Sequence, residues 1–101
     1  MVLDIAPCLV VKKLTVDAGK RLSLQRHNYR SERWIAMEGC ATVQQGDEVM
    51  HLHPGEGVLI PRDCIHRLSN ESSLPITVLE VQYGEKLCED DIERFADDYG
   101  R

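Results

Sequence analysis

From Leu9 to Tyr83 the apolar residues come in short runs or alternate with polar ones, and turn-forming residues separate the runs. That rhythm belongs to many short strands rather than to helices. Candidate strands are Cys8 to Val16, Arg21 to His27, Glu32 to Met37, Ala41 to Gln45, Val49 to His53, Gly57 to Ile60, His66 to Ser69 and Ile76 to Tyr83. The breaks between them include Asp17-Ala18-Gly19, Gln45-Gly46-Asp47, His53-Pro54-Gly55, Pro61-Arg62-Asp63 and Asn70 to Pro75, where Gly, Pro, Asn and Asp supply turn geometry. Strands spaced so evenly predict an all-β sandwich or barrel over about residues 8–83. Past Tyr83 the pattern changes. Ile92, Phe95, Ala96 and Tyr99 recur at helical spacing, with Glu89, Asp90 and Asp91 ahead of them and Gly100 behind, which predicts one short helix over about 89–99 on the barrel's flank.

Leu22, Leu24, Ile35 and Met37 carry the parity that points away from the polar face of their strands, yet they are apolar. A sheet apolar on both faces needs a cover on each, and a short terminal helix covers too little. A homodimer packed through outer sheet faces or edge strands is therefore expected.

The 101 residues make one domain, 1–101. No apolar run approaches the roughly 18 to 20 residues of a membrane span, so no membrane partner is expected. Asp4 precedes the first apolar run and Lys12 and Lys13 follow it, the wrong order for a secretory signal, so a cytoplasmic protein is expected. A formal charge of −5 offers no footprint for a nucleic acid. Cys8, Cys40, Cys64 and Cys88 contain no C-x-x-C pair and are expected to be reduced, mostly buried fillers. No glycine-rich phosphate loop is present, so any phosphate must be held by side chains.

The chemistry gathers in two stretches. In Gly19 to Gly39, Gln25 and His27 lie two residues apart on a strand and share a face with Arg21 and Ser23, and Glu32 returns on the next strand. In Gly55 to Asn70, His66 opens a further strand. Gln25, His27, Glu32 and His66 together form a candidate site for one divalent metal ion, Zn, Mn, Fe, Co or Ni, since two imidazoles, a carboxylate and an amide oxygen suit such ions. His51 and His53 form another H-x-H pair, but Met50 and Leu52 claim the core parity, so these imidazoles are expected in solvent. Trp34 shares parity with Glu32 and is expected in the core or the pocket wall.

These stretches resemble the two cupin motifs. Gly19, Gln25, His27, Glu32 and Gly39 fill the first, and Gly55, Pro61, His66 and Asn70 fill the second, with Asp63 where the motif usually has its turn glycine. The resemblance implies a single-domain cupin, a double-stranded β-helix or jelly-roll-like barrel. It narrows further, because Arg21 to His27 with Arg30, Glu32 and Trp34, and the tail from Glu89 to Phe95 and Asp98 to Arg101, are similar to the carboxy-terminal domain of type II mannose-6-phosphate isomerases. That domain is often fused to a mannose-1-phosphate guanylyltransferase.

Membership would imply interconversion of mannose 6-phosphate and fructose 6-phosphate in precursor supply for polysaccharides. The proton shift between C1 and C2 needs a base, for which Glu80, alternating with Gln82 on the last strand, is the candidate. The dianionic phosphate needs a cation, and Arg30 is the first choice, followed by Lys12, Arg21 and Arg67. The family usually has three consecutive histidines where this chain has His27-Asn28-Tyr29, and a histidine where it has Arg33. Two readings therefore stand: an isomerase, or a metal-bearing binding module that takes a phosphosugar or pairs with a separate guanylyltransferase.

Overall fold

The computed structural model describes residues 2–6, 9–84 and 92–96. They form ten strands: β1 (Val2–Ala6), β2 (Leu9–Val16), β3 (Leu24–Arg26), β4 (Arg30–Glu38), β5 (Ala41–Gln45), β6 (Glu48–Leu52), β7 (Gly57–Ile60), β8 (His66–Ser69), β9 (Ile76–Gly84) and β10 (Glu93–Ala96). Every pairing is antiparallel, in a first sheet of order β1-β2-β9-β4-β7 and a second of order β10-β3-β8-β5-β6.

The alternation read from the sequence decides which side chains face the other sheet. In β4 the buried positions are Arg30, Glu32, Trp34 and Ala36, and in β9 they are Ile76, Val78, Glu80 and Gln82. Across the gap Ala41, Val43, Leu52 and Leu68 complete an apolar core with Val16, Ala36, Ile60, Ile76 and Val78. The valine, leucine and isoleucine side chains among them each contribute about 1.5–3 kcal/mol by leaving water. At the end of β4, Gly39 turns the chain with φ +76°, and a Cβ there would lie 2.7 Å from Cγ2 of Ile76. Only glycine fits so tight a turn in a left-handed conformation. Met37, Leu59 and Tyr83 remain exposed on the outer face of the first sheet.

The carboxy-terminal helix expected over 89–99 is corrected. Glu93–Ala96 form β10, paired with β3 through Glu93↔Arg26, Arg94↔Gln25 and Ala96↔Leu24; residues 89–91 and 97–99 lie outside the described residues. The cause is tertiary. The unpaired side of β3 offers backbone donors and acceptors, and Arg26 Nη2 donates to both Glu93 carboxylate oxygens at 2.9 Å while its guanidinium sits 5.6 Å from the ring centre of Phe95. Phe95 stays about half exposed, so it presents no buried helical stripe. Sequence patterning also missed β1, and the strand expected over Arg21 to His27 is regular only in β3, with Arg21 held by an isolated bridge to Ser69.

Candidate metal centre and its cavity

Three elements deliver the predicted cluster. β3 runs into His27, β4 carries Glu32, and β8 begins with His66, directly opposite Gln25 of β3. His27, Glu32 and His66 are all buried, and one ligand atom from each falls within 4.8 Å of the other two. His27 Nε2 lies 3.1 Å from Glu32 Oε2, His66 Nε2 lies 3.9 Å from Glu32 Oε1, and the two imidazole rings are 5.1 Å apart. Gln25 lines the same cavity; its amide nitrogen donates to Ser23 Oγ at 2.7 Å, which leaves the amide oxygen as the atom able to meet a cation.

The chemistry of these donors fits a divalent ion. His66 Nδ1 donates to the Cys64 carbonyl at 2.9 Å, so the lone pair sits on Nε2. That buried Nε2 has no hydrogen-bond partner among the described residues. Burial, with a smaller push from His27, lowers the His66 pKa to about 4, so the ring is held neutral, the form that ligates. The loop before β8 also helps. Asp63 adopts φ +65°, the left-handed geometry expected of the residue in the glycine position, and its N–H donates to the His27 carbonyl at 2.7 Å.

Arg30 is buried, and Nε and Nη2 both approach Glu32 Oε2 at 3.0 Å, with Nη2 also 3.3 Å from His27 Nε2. His27 Nε2 can donate to Glu32 or accept from Arg30, but not both. The guanidinium thus braces the Glu32 carboxylate, and Arg30 also lines the cavity.

Beside the cluster, the Trp34 indole N–H is shared between Glu32 Oε1 at 3.0 Å and Glu80 Oε2 at 3.2 Å, and Gln82 Nε2 donates to Glu80 Oε1 at 2.6 Å. Desolvation, reinforced by the negative charge of Glu32, raises the Glu80 pKa to about 7. Lys12 pairs across the ladder with Glu80 and lines the same cavity of about 150 Å³. A neutral-range carboxyl, a lysine and a ligand cluster around one cavity can move a proton beside a polarised oxygen.

Lys12, Gln25, Arg30, His66 and Glu80 therefore line one cavity, and His27 and Glu32 join it through their cluster with His66. Arg21 and Arg67 are not brought there. Arg67 follows His66 on β8, so alternation sends it to the opposite face, and both arginines line a different cavity. Leu22 was expected to point away, but the irregular stretch before β3 turns it inward, where it packs on the core and lines the first cavity. Ser23, Gln82 and Ile92 also line it; parity with Gln25 and Glu80 marked the first two in the sequence, and nothing marked Ile92. His51 and His53 are exposed, as expected. Cys40 and Cys64 are partly buried free thiols, while Cys8 and Cys88 lie outside the described residues.

The family model for the mannose-6-phosphate isomerase C-terminal domain matches residues 1–97. The chain belongs to this family. Among its relatives, the xanthan biosynthesis protein XanB of Xanthomonas campestris pv. campestris is 46% identical over 99 residues, covering 98% of this chain and 21% of that protein. The alginate biosynthesis protein AlgA of Pseudomonas aeruginosa is 46% identical over 91 residues, covering 90% of this chain and 19% of its own length. The chain spans about a fifth of the length of the curated relatives it matches. A double-stranded β-helix protein from Klebsiella pneumoniae superposes with a TM-score of 0.81 at 20% identity, covering 95% of this chain and 81% of that one. A cupin domain of an XRE family transcriptional regulator from Enterobacter cloacae gives 0.74 at 18% identity, covering 79% and 85%. These likenesses establish the cupin fold.

Within the mannose-6-phosphate isomerase C-terminal family, the positions at which this chain departs from the usual histidines now have locations. Asn28, Tyr29 and Arg33 are all exposed, the first two in the turn after His27 and the third on the outward parity of β4. Asn28 Nδ2 contacts Glu93 Oε1 at 3.3 Å, at the β10 edge. None of the three lines the cavity. No described helix is long and apolar enough to cross a membrane.

Proposed function

We propose that this chain is a metal-dependent aldose–ketose isomerase that interconverts mannose 6-phosphate and fructose 6-phosphate, supplying phosphorylated hexose for polysaccharide synthesis. The observation that carries the reading is Glu80. It is a buried carboxyl with a pKa of about 7, held by Trp34 and Gln82 on the wall of the cavity that His66 of the His27, Glu32 and His66 cluster also lines. Relatives named for xanthan and alginate biosynthesis support the pathway context.

Glu80 would take the proton from one of C1 and C2 and return it to the other, a role for which a pKa near neutrality suits both directions. Trp34 and Gln82 donate to its two oxygens and hold it still. Lys12, half-buried on the same wall, supplies positive charge for the substrate's anionic end or for oxygen charge developing during the shift. Arg30 keeps Glu32 in place and balances its charge. The divalent ion that His27, Glu32, His66 and Gln25 would hold supplies polarisation of the sugar carbonyl and its neighbouring hydroxyl, and stabilisation of enediolate charge. The exposed positions of Asn28, Tyr29 and Arg33 support this reading over a purely binding role, since imidazoles there would stand outside the cavity.

A coupled isomerase assay with mannose 6-phosphate, run on protein loaded in turn with Zn, Mn, Co, Ni and Fe(II), tests it. Turnover is expected with at least one ion. Glu80→Gln is expected to lower kcat by about 10²- to 10⁴-fold with metal binding retained, and Lys12→Met to raise KM. No turnover with any ion overturns the isomerase reading.

A further inference from the structure

The second cavity, on the outer face of the second sheet, is about 450 Å³ against about 150 Å³ for the first, and the two share no lining residue. Sheet alternation separates them, because His66 faces the barrel interior and Arg67 the outside. A hexose phosphate cannot reach through a sheet, so the cations here do not serve the metal cluster.

The walls have a polarity of their own. Lys20, Arg21 and Arg67 line one cavity in a chain whose formal charge is −5, and Arg67 is only 7% exposed, so its guanidinium is built into the wall. The turn that presents Lys20 and Arg21 is stitched down: Gly19 N–H donates to the Asn70 carbonyl at 2.9 Å, and Asn70 N–H donates to the Lys20 carbonyl at 2.9 Å. Asn70 is itself anchored by donating to the Val16 and Leu74 carbonyls at 2.9 and 2.7 Å. Glu71, also in the lining, accepts from Thr42 Oγ1 at 2.9 Å and lies 3.5 Å from His51 Nε2. Val49, 59% exposed, adds an apolar surface.

We propose that this cavity is a second binding site, for a small phosphorylated sugar or polyol, with the phosphate on Arg67, Arg21 and Lys20 and a hydroxyl on Glu71. Arginine's planar fork suits a phosphate, and a single carboxylate in the wall selects a hydroxyl donor while disfavouring a polyanion. The volume lies in the range of small-molecule sites. The proposal stands independently of the isomerase reading.

Amide shifts of the whole chain, followed by NMR during titration with inorganic phosphate and separately with mannose 6-phosphate, test it. Both probes are expected to move the amides of Lys20, Arg21, Arg67 and Glu71. Reversing the rim charges together, Lys20→Glu with Arg21→Glu, is expected to weaken phosphate at these amides by about 10-fold or more while leaving the metal-induced thermal shift unchanged. Glu71→Gln is expected to narrow the preference for mannose 6-phosphate over phosphate. These rim variants avoid the folding risk of removing Arg67. Shifts confined to residues 25–34 and 80–82, or a doubly reversed protein that binds phosphate as tightly as the parent, would overturn the second site. Loss of isomerase turnover with these shifts intact would fault only the isomerase reading.

Discussion

The two halves of the barrel interior are built on the same strands and yet behave as different materials. Along the inner face of β9, Ile76 and Val78 belong to the apolar core, and two residues on, Glu80 and Gln82 belong to the cavity wall. β4 makes the same change in reverse, from Glu32 and Trp34 to Ala36. One half gains by excluding water from aliphatic side chains. The other carries buried charges and amides that must satisfy one another, at a cost that burial of Glu80 and His66 registers as displaced pKa values. Stability is concentrated at one end so that the other can be left polar.

The comparison predicts that mutations at the two ends fail in different ways. Ile76→Ala should lower unfolding free energy by about 2–5 kcal/mol in urea titration while leaving the ion-induced rise in melting temperature in place. A loss below about 1 kcal/mol would mean that the apolar half does not carry the fold. His66→Ala should abolish that ion-induced rise. In the parent protein it is worth about 2.7 kcal/mol when the free ion is at 100 times its Kd, and an undiminished rise would remove His66 from the ligand set.

The polar half also sets the pH dependence of the metal-free protein. The folded-state pKa of Glu80 is raised from 4.5 to about 7, so its stabilising contribution is complete below pH 4.5 and lost as pH climbs through about 7. His66 is lowered from 6.5 to about 4, so its contribution is present above pH 6.5 and lost as pH falls through about 4. Melting curves in chelator should therefore show Glu80→Gln gaining on the parent as pH rises from 5 to 8. A difference that does not change with pH would show that Glu80 titrates as it does in the unfolded chain. Smallest is the effect of the turn between the ends of β7 and β8: Asp63→Ala should cost about 1 kcal/mol through its left-handed backbone, whereas Asp63→Gly should be near neutral.

Much of this architecture was legible from local pattern. The runs Ala41 to Gln45, Gly57 to Ile60 and His66 to Ser69 are strands with the same limits, and spacing alone marks His27, Glu32 and His66, which the fold brings together. What escaped depended on partners distant in sequence. β10 exists because the free side of β3 and Arg26 recruit it, and helical spacing in Ile92, Phe95 and Ala96 carried no word of that edge. Arg21 and Arg67 looked like phosphate ligands of the first site because charge was visible and facing was not; the irregular backbone around Arg21 to Leu24 breaks the parity on which facing would be read. Arg30 was visible as a cation, but its commitment to Glu32 needed both side chains in place.

The abrupt change along β9 has a consequence for folding. Slipping that strand by one residue against β2 or β4 would turn its whole apolar set outward, an error hydrophobic patterning rejects on its own. A slip of two residues keeps every inward position inward and would pass that filter. It would, however, move Glu80 into the place of Val78, among Val16, Ala36 and Leu68, or carry Val78 into the ring of donors around Trp34. The carboxylate buried in the cavity wall therefore also acts as a key for register, making the next-best alignment of the central strand expensive in a way no aliphatic sequence could.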